Sequence, residues 1–450
     1  MIFRPHSYQT RAIDFILEHE FCGLFLDMGL GKTVATLTAL DKLLYERLES
    51  EKVLVIAPKS VALNTWSNEA NKWDHLKSLR MSIVMGSAAK RRKALERPAD
   101  IYVTNRDNVV WLRNEGEWAF DTVVLDESSS FKNFQSRRWK ALWSVRPQIR
   151  RMILLTGTPA PNGLMDLWAQ VKLLDRGVRL GRFITQFREA YFRPGARSGA
   201  VVYDWLPKPG AQELITDKIS DICMSMRAED YLDMPELIDA GMVLELPEID
   251  KYRQFERDCV LGLEGGDDIL ALTAVSLTNK LLQFASGAVY DDEHSWHEVS
   301  SAKLEALTEL LEQTSEPVLL FYNYRHELER IQRSFPDAVP FRGEPDILQR
   351  WNAGEIRLLL CHPASVAYGL NMQQGGHIIV WYSPTWNLEL YEQANARLHR
   401  QGQSKPVMLY HLICRGTMDE VVMSALSRKD NVQDALMRHL ASIREDKLHK

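Results

Sequence analysis

Near the start of the chain, Gly23-Leu24-Phe25-Leu26 reads as a strand, runs into Asp27-Met28-Gly29-Leu30-Gly31-Lys32-Thr33, and gives way to a helical pattern from Val34 to Arg47. Strand, glycine loop and helix in that order commit this region to a parallel α/β unit, because the loop can wrap an anion only where a strand delivers it to a helix N-terminus. The glycines let backbone N–H groups close on phosphate oxygens. Lys32 has the reach for β- and γ-phosphates, and Thr33 is placed to ligate Mg²⁺. Position 26 is Leu, so the strict G-x-x-x-x-G-K-T pattern is not met.

The alternation begun there continues. Val53-Leu54-Val55-Ile56-Ala57, Ile101-Tyr102-Val103, Thr122-Val123-Val124-Leu125 and Met152-Ile153-Leu154-Leu155 are apolar runs of strand length, separated by longer helical patterns. Between 163 and 237 the strand signals fade, and from Lys251 to about Phe284 helical patterns dominate again. Val318-Leu319-Leu320-Phe321, Arg357-Leu358-Leu359-Leu360 and His377-Ile378-Ile379-Val380-Trp381 then resume the alternation. The expectation is an α/β chain of two lobes. Lobe one covers 1–237 with a helical segment over 163–237; lobe two covers 238–450 with a helical segment over 251–290 and an amphipathic helical tail from Met418.

Composition narrows the class of protein. At 450 residues, 45% of them hydrophobic, the chain can bury more than one core. No apolar run exceeds five residues and Met1-Ile2-Phe3-Arg4-Pro5 has no signal-peptide core, which argues against a membrane span or secretion. The five cysteines are scattered without a C-x-x-C, so reduced thiols and a cytoplasmic setting are expected. Net charge is only −5, but it is uneven: from Lys132 to Arg197 fourteen Lys or Arg face three acids, and from Arg227 to Asp268 four basic residues face thirteen acids. A solvated helical surface would explain the basic block as well as a grip on nucleic-acid phosphates would.

A phosphate loop needs a carboxylate for its metal and a base for its water. Asp126-Glu127 directly follows the strand ending at Leu125. Asp126 would hold Mg²⁺ through water and Glu127 would orient and deprotonate the attacking water.

At this point the residues carry a family. Gly29-Leu30-Gly31-Lys32-Thr33, Asp126-Glu127 with Lys132-Asn133, Leu155-Thr156-Gly157-Thr158-Pro159 with Asn162, and Gln393-Ala394 through Arg397, His399-Arg400 and Gly402-Gln403 resemble, in order, the motifs of helicase superfamily two. Trp386-Asn387 and the His-Arg-x-Gly-Gln ending point to its Swi/Snf-like branch. Gly369-Leu370-Asn371-Met372-Gln373 and Gly416-Thr417-Met418-Asp419-Glu420 extend the resemblance over nearly the whole chain. The compact length and Asp126-Glu127-Ser128-Ser129, where Ser128-Ser129 departs from the usual small residue and His, resemble stand-alone phage and prophage members.

The resemblance implies two RecA-like lobes with helical protrusions, ATP and Mg²⁺ as cofactors, and double-stranded DNA as partner. It implies that the Gln9 amide reads adenine, and that Arg397 and Arg400 of lobe two reach the γ-phosphate. Pro58-Lys59 and Thr104-Asn105 would touch the nucleic-acid backbone. Thr156 and Thr158 would couple nucleotide state to movement, and Gly369 and Gln393 fall among the same nucleic-acid and coupling residues. Gln393 to Arg400 is expected to form one helix, with both arginines on one face. Three readings stand at this stage: an ATP-driven motor on duplex DNA, a strand-separating helicase on DNA or RNA, and a nucleotide-gated binding module.

Overall fold

Seven short strands of the first half are apolar over most of their length: β1 (Phe21–Leu26), β2 (Val53–Ala57), β3 (Met81–Ile83), β4 (Ile101–Asn105), β5 (Thr122–Asp126), β6 (Arg151–Thr156) and β7 (Cys223–Met226). Such runs suit a parallel sheet covered on both faces. In the computed structural model they form one, in the order β7-β1-β6-β5-β2-β4-β3, every neighbouring pair parallel. The structure describes residues 1–428 apart from 60, 196, 199–200, 203–204, 262–266, 292 and 367–369.

A single orientation brings every strand's C-terminal end to one edge, where an open α/β sheet binds its ligands. The register makes this specific. Phe25 lies opposite Thr156 and Asp126 opposite Leu155, so the segments leaving β1, β6 and β5 emerge side by side.

The segment 163–237 is less purely helical than its sequence indicates. Helices Asp166–Asp175, Ile184–Tyr191 and Ala211–Ile219 occur there. Leu167, Trp168, Val171 and Leu174 of the first are buried in the same core as Phe25, Leu125 and Leu154, so that helix covers the sheet. β7 then adds a strand at the sheet's edge. Its sequence, Cys-Met-Ser-Met, contains no β-branched or aromatic residue, so strand propensity could not reveal it.

The second half builds its own parallel sheet from β8 (Leu237–Leu244), β9 (Val318–Phe321), β10 (Val339–Phe341), β11 (Leu358–Cys361), β12 (Ile378–Trp381) and β13 (Val407–Cys414), in the order β8-β13-β12-β9-β11-β10. The chain divides into compact units of residues 1–233 and 234–450. Leu237, placed at the end of lobe one by the sequence, pairs with Val407 in the second sheet. Helices Ile249–Leu261 and Asp267–Ala285 lie between β8 and β9. The C-terminal helix is described over Met418–Arg428, and the remainder of the expected tail lies outside the described residues. Among the described residues, no helix is long and apolar enough to cross a membrane.

Candidate active site

The loop after β1 owes its path to two glycines in the left-handed region, Gly29 at φ 88° and Gly31 at φ 73°. Side chains rarely adopt that conformation, and a Cβ on Gly31 would also come within 2.5 Å of Gln9 Nε2. Gly31 caps the helix Lys32–Asp41, so the helix N-terminus faces the loop. Thr33 is half-buried in the first turn of that helix. Lys32 folds back over the loop, its Nζ donating to the carbonyls of Leu26 at 2.5 Å and Asp27 at 3.3 Å. Asp27 anchors the loop's start: its Oδ2 accepts from Ala228 N at 3.0 Å, and its own N–H donates to Met226 O.

Gln9 lies on the helix Ser7–Glu18 and is buried. Its Oε1 accepts from His6 N at 3.0 Å and its Nε2 donates to Leu30 O at 3.4 Å, so the amide is held against the phosphate loop.

Asp126 ends β5. Burial raises its carboxyl pKa, while the Trp66 indole, the Lys32 charge and the Glu127 backbone N–H pull it down. Glu127 follows with φ 54°, a conformation that is strained for a non-glycine residue and turns the chain sharply after the strand. Thr156 Oγ1 sits 3.4 Å from Glu127 Oε2 and accepts from Thr158 N at 3.1 Å. One hydroxyl thereby ties the segment after β5 to the segment after β6. Thr158 Oγ1 is buried without a hydrogen-bond partner among the described residues.

These features fit a polyphosphate with a divalent cation. A Cβ on Gly157 would lie 3.7 Å from Lys32 Nζ, so any side chain there would enter the space the lysine addresses. The loop, the ammonium, the helix N-terminus and two carboxylates are the donor set that such a ligand requires.

Other expected contacts are distributed differently. Lys59 is exposed, just beyond β2. Thr104 is fully buried, its hydroxyl donating to Val84 O at 2.8 Å, so its side chain has no surface to offer a nucleic acid. Asn105, also buried, uses its Oδ1 to accept from Asn108 N. The half-exposed Arg106 and the exposed Asp107 follow it.

In the second unit, Asn387 caps the helix Leu388–Asn395 by accepting from Leu390 N at 3.1 Å. That helix stops at Asn395, so the expected continuous helix to Arg400 is corrected: Arg397 and Arg400 lie in the turns beyond it. Arg397 donates through Nε to Gln393 O and through Nη1 to Leu370 O, both at 2.9 Å. Arg400 donates to Asn371 Oδ1 at 2.7 Å, and its partial burial lowers its pKa. Gln393 is buried, its Nε2 donating to Glu389 Oε1 at 3.2 Å. Gly369 lies outside the described residues.

Sequence reasoning missed two groups. Trp66 donates from Nε1 to Asp126 Oδ2 at 2.9 Å. Gln170 accepts from Ser128 Oγ at 2.8 Å and donates to Pro159 O at 2.6 Å, so the Ser128 departure gives β5's exit a second bond toward the segment after β6. Neither carries a motif signal, since both are single residues on helices.

A phosphate loop beside a carboxylate pair at the C-terminal edge of a parallel sheet, followed by a second α/β unit carrying paired arginines, defines an ATP-hydrolysing enzyme of helicase superfamily two. Residues 8–211 match the SNF2-related domain and residues 302–402 the helicase conserved C-terminal domain. The chain is 38% identical over 452 residues to protein p41 of Acyrthosiphon pisum secondary endosymbiont phage 1, covering 97% of this chain and 98% of that one. It is 24% identical to the DNA repair and recombination protein RAD54-like of Mus musculus, covering 95% of this chain and 65% of that protein. A solved structure, the Sulfolobus solfataricus SWI2/SNF2 ATPase core in complex with dsDNA, aligns at TM-score 0.45 and 20% identity, covering 95% of this chain and 93% of that chain. The chain belongs to the SNF2 family, whose members use ATP and Mg²⁺.

Proposed function

We propose that this chain is a DNA-stimulated ATPase that works as a translocating or remodelling motor on double-stranded DNA. The observation that carries the ATPase half is the convergence of Lys32, Asp126, Glu127 and Thr156 at adjacent strand ends in one parallel sheet. The duplex-DNA half rests on SNF2 membership and on relatives named for DNA repair and recombination.

In this reading Gly29, Gly31 and Lys32 hold the phosphates, Gln9 addresses the base and holds the loop, and Thr33 and Asp126 hold Mg²⁺. The cation, when bound with ATP, offsets charge on the β- and γ-oxygens. Glu127 orients the attacking water and takes its proton. Arg397 and Arg400 answer the charge that develops on the transferred phosphoryl group. Thr156 and Thr158 link the two segments that flank that group. Lys59, and the arginines of the helix Arg137–Val145, grip the DNA backbone.

The test is ATP hydrolysis measured side by side with no nucleic acid, single-stranded DNA, double-stranded DNA and RNA. Hydrolysis should be slow alone and stimulated most by the duplex. Equal or greater stimulation by a single strand would replace this reading with a strand-separating helicase, and no stimulation by any nucleic acid would overturn it.

A further inference from the structure

Trp66 is fully buried, at the junction where the turns Val61–Thr65 pass into the helix Trp66–Lys72. This segment follows β2, and β2 lies beside β5 with Ile56 opposite Leu125. The strand pairing therefore carries the crossover past the end of β5. The indole N–H is the side chain's only polar group, and a buried N–H requires an acceptor. Its acceptor is Asp126 Oδ2 at 2.9 Å.

We infer that Trp66 is a positioning residue for the metal-holding carboxylate: its N–H fixes the plane of Asp126 and leaves the other oxygen directed at the Mg²⁺ site. The inference rests on the proposed metal role of Asp126. An aspartate's terminal torsion is broad and roughly two-fold, so the backbone alone does not set where its oxygens point. A charge-assisted hydrogen bond from a rigid, packed ring does set it. Partners that orient metal-holding carboxylates in this way contribute substantially to metal affinity, about 10- to 100-fold when removed. A purely packing role for Trp66 would be met by a bicyclic ring of the same shape that lacks the N–H, whereas phenylalanine also removes buried volume.

The experiment titrates Mg²⁺ against a fluorescent ADP analogue and reads binding rather than turnover, in the parent, Trp66→Phe and Asp126→Asn proteins. Nucleotide affinity in excess EDTA is measured beside it. Trp66→Phe should raise half-saturating Mg²⁺ by about tenfold and leave the EDTA affinity unchanged. Should Trp66→Phe not fold, β-(3-benzothienyl)alanine at position 66 removes the N–H with the bicyclic ring shape kept, and it should give the same shift. If Asp126→Asn weakens the Mg²⁺ dependence while the position 66 variant matches the parent, the positioning role is overturned and the metal role of Asp126 stands. If Asp126→Asn itself leaves the Mg²⁺ dependence unchanged, the metal assignment fails and this inference fails with it.

Discussion

Arg397 and Arg400 converge on one acceptor, the carbonyl oxygen of Leu370, at 2.9 and 3.5 Å. Their three-residue spacing suggested one helical face, but the convergence comes from turns after Asn395. The two arginines are not equivalent. Arg397 is 6% exposed and satisfies two backbone carbonyls, whereas Arg400 is half-buried and bonds mainly to the Asn371 side chain.

Removing each arginine should therefore give different signatures. Arg400→Ala should lower DNA-stimulated hydrolysis by at least about a hundredfold with little change in melting temperature. Arg397→Ala should lower hydrolysis similarly and also destabilise the second unit, because an unsatisfied buried carbonyl costs about 1 to 3 kcal/mol. Paired rate and calorimetry measurements check this. An Arg400→Ala protein retaining more than about a third of the parental rate would remove that arginine from the chemistry.

Lys32 and Glu127 separate binding from chemistry. Lys32→Ala removes the ammonium that covers the loop and should lose nucleotide affinity together with turnover. Glu127→Gln keeps the side-chain shape and an oxygen facing Thr156 but removes the base, so it should bind ATP and stall. Equilibrium nucleotide binding and single-turnover hydrolysis distinguish the two. Parental hydrolysis by Glu127→Gln would show that another group activates the water.

What the sequence made legible was what local chemistry encodes. The apolar runs marked β2, β5 and β6, and the glycines marked the loop, because buried parallel strands and left-handed turns each restrict residue type. β7 was hidden because its place at the sheet edge is set by pairing with β1, which local propensity does not report. The Trp66–Asp126 and Ser128–Gln170 bonds were hidden for a related reason: their partners are 60 and 42 residues apart, joined only by the order of strands. The inward orientation of Thr104 was likewise hidden, because a residue at a strand's C-terminal end can face inward as well as outward.

The basic block gives a test on DNA. Much of its charge is already used within the fold: Arg146 donates to the carbonyls of Leu173 and Leu174, Arg151 to those of Ile16 and His19, and Arg179 pairs with Asp175 and Asp221. Arg137 and Lys140 are exposed on the helix Arg137–Val145, and Arg138 is half-exposed 3.9 Å from Asp107. Arg137→Ala with Arg138→Ala should flatten the slope of log affinity against log salt by about 1 to 2, since each phosphate contact contributes about 0.9. Sequence preference should stay the same. An unchanged slope would return these arginines to an ordinary solvated surface.

Glu327, in the second unit, supplies a pH test independent of catalysis. It is fully buried; its Oε2 accepts from Asn323 N at 2.7 Å and from Tyr324 N and Ser383 Oγ at 3.1 Å, while Oε1 has no hydrogen-bond partner among the described residues. Burial raises its pKa, and the three donors and the charge of Lys303 offset this only in part. Lys303 is itself engaged, 2.6 Å from Asp419. With the folded pKa above the unfolded value of about 4.3, the folded state binds more protons than the unfolded one between the two values, so stability is lost as pH rises through that window. A glutamine at 327 presents an oxygen to the same three donors without the buried charge. The melting temperature of Glu327→Gln relative to the parent should therefore climb as pH goes from about 4 toward neutrality. Each pH unit separating the two pKa values is worth about 1.4 kcal/mol, or about 3 to 6 °C for a unit of this size. His326, pushed down to about 3 chiefly by burial, is present in both proteins and largely cancels in the comparison. Calorimetry across this range reads the difference directly. A gap between the two proteins that narrows with rising pH would mean that the ionised glutamate is stabilised by Lys303 more than burial penalises it.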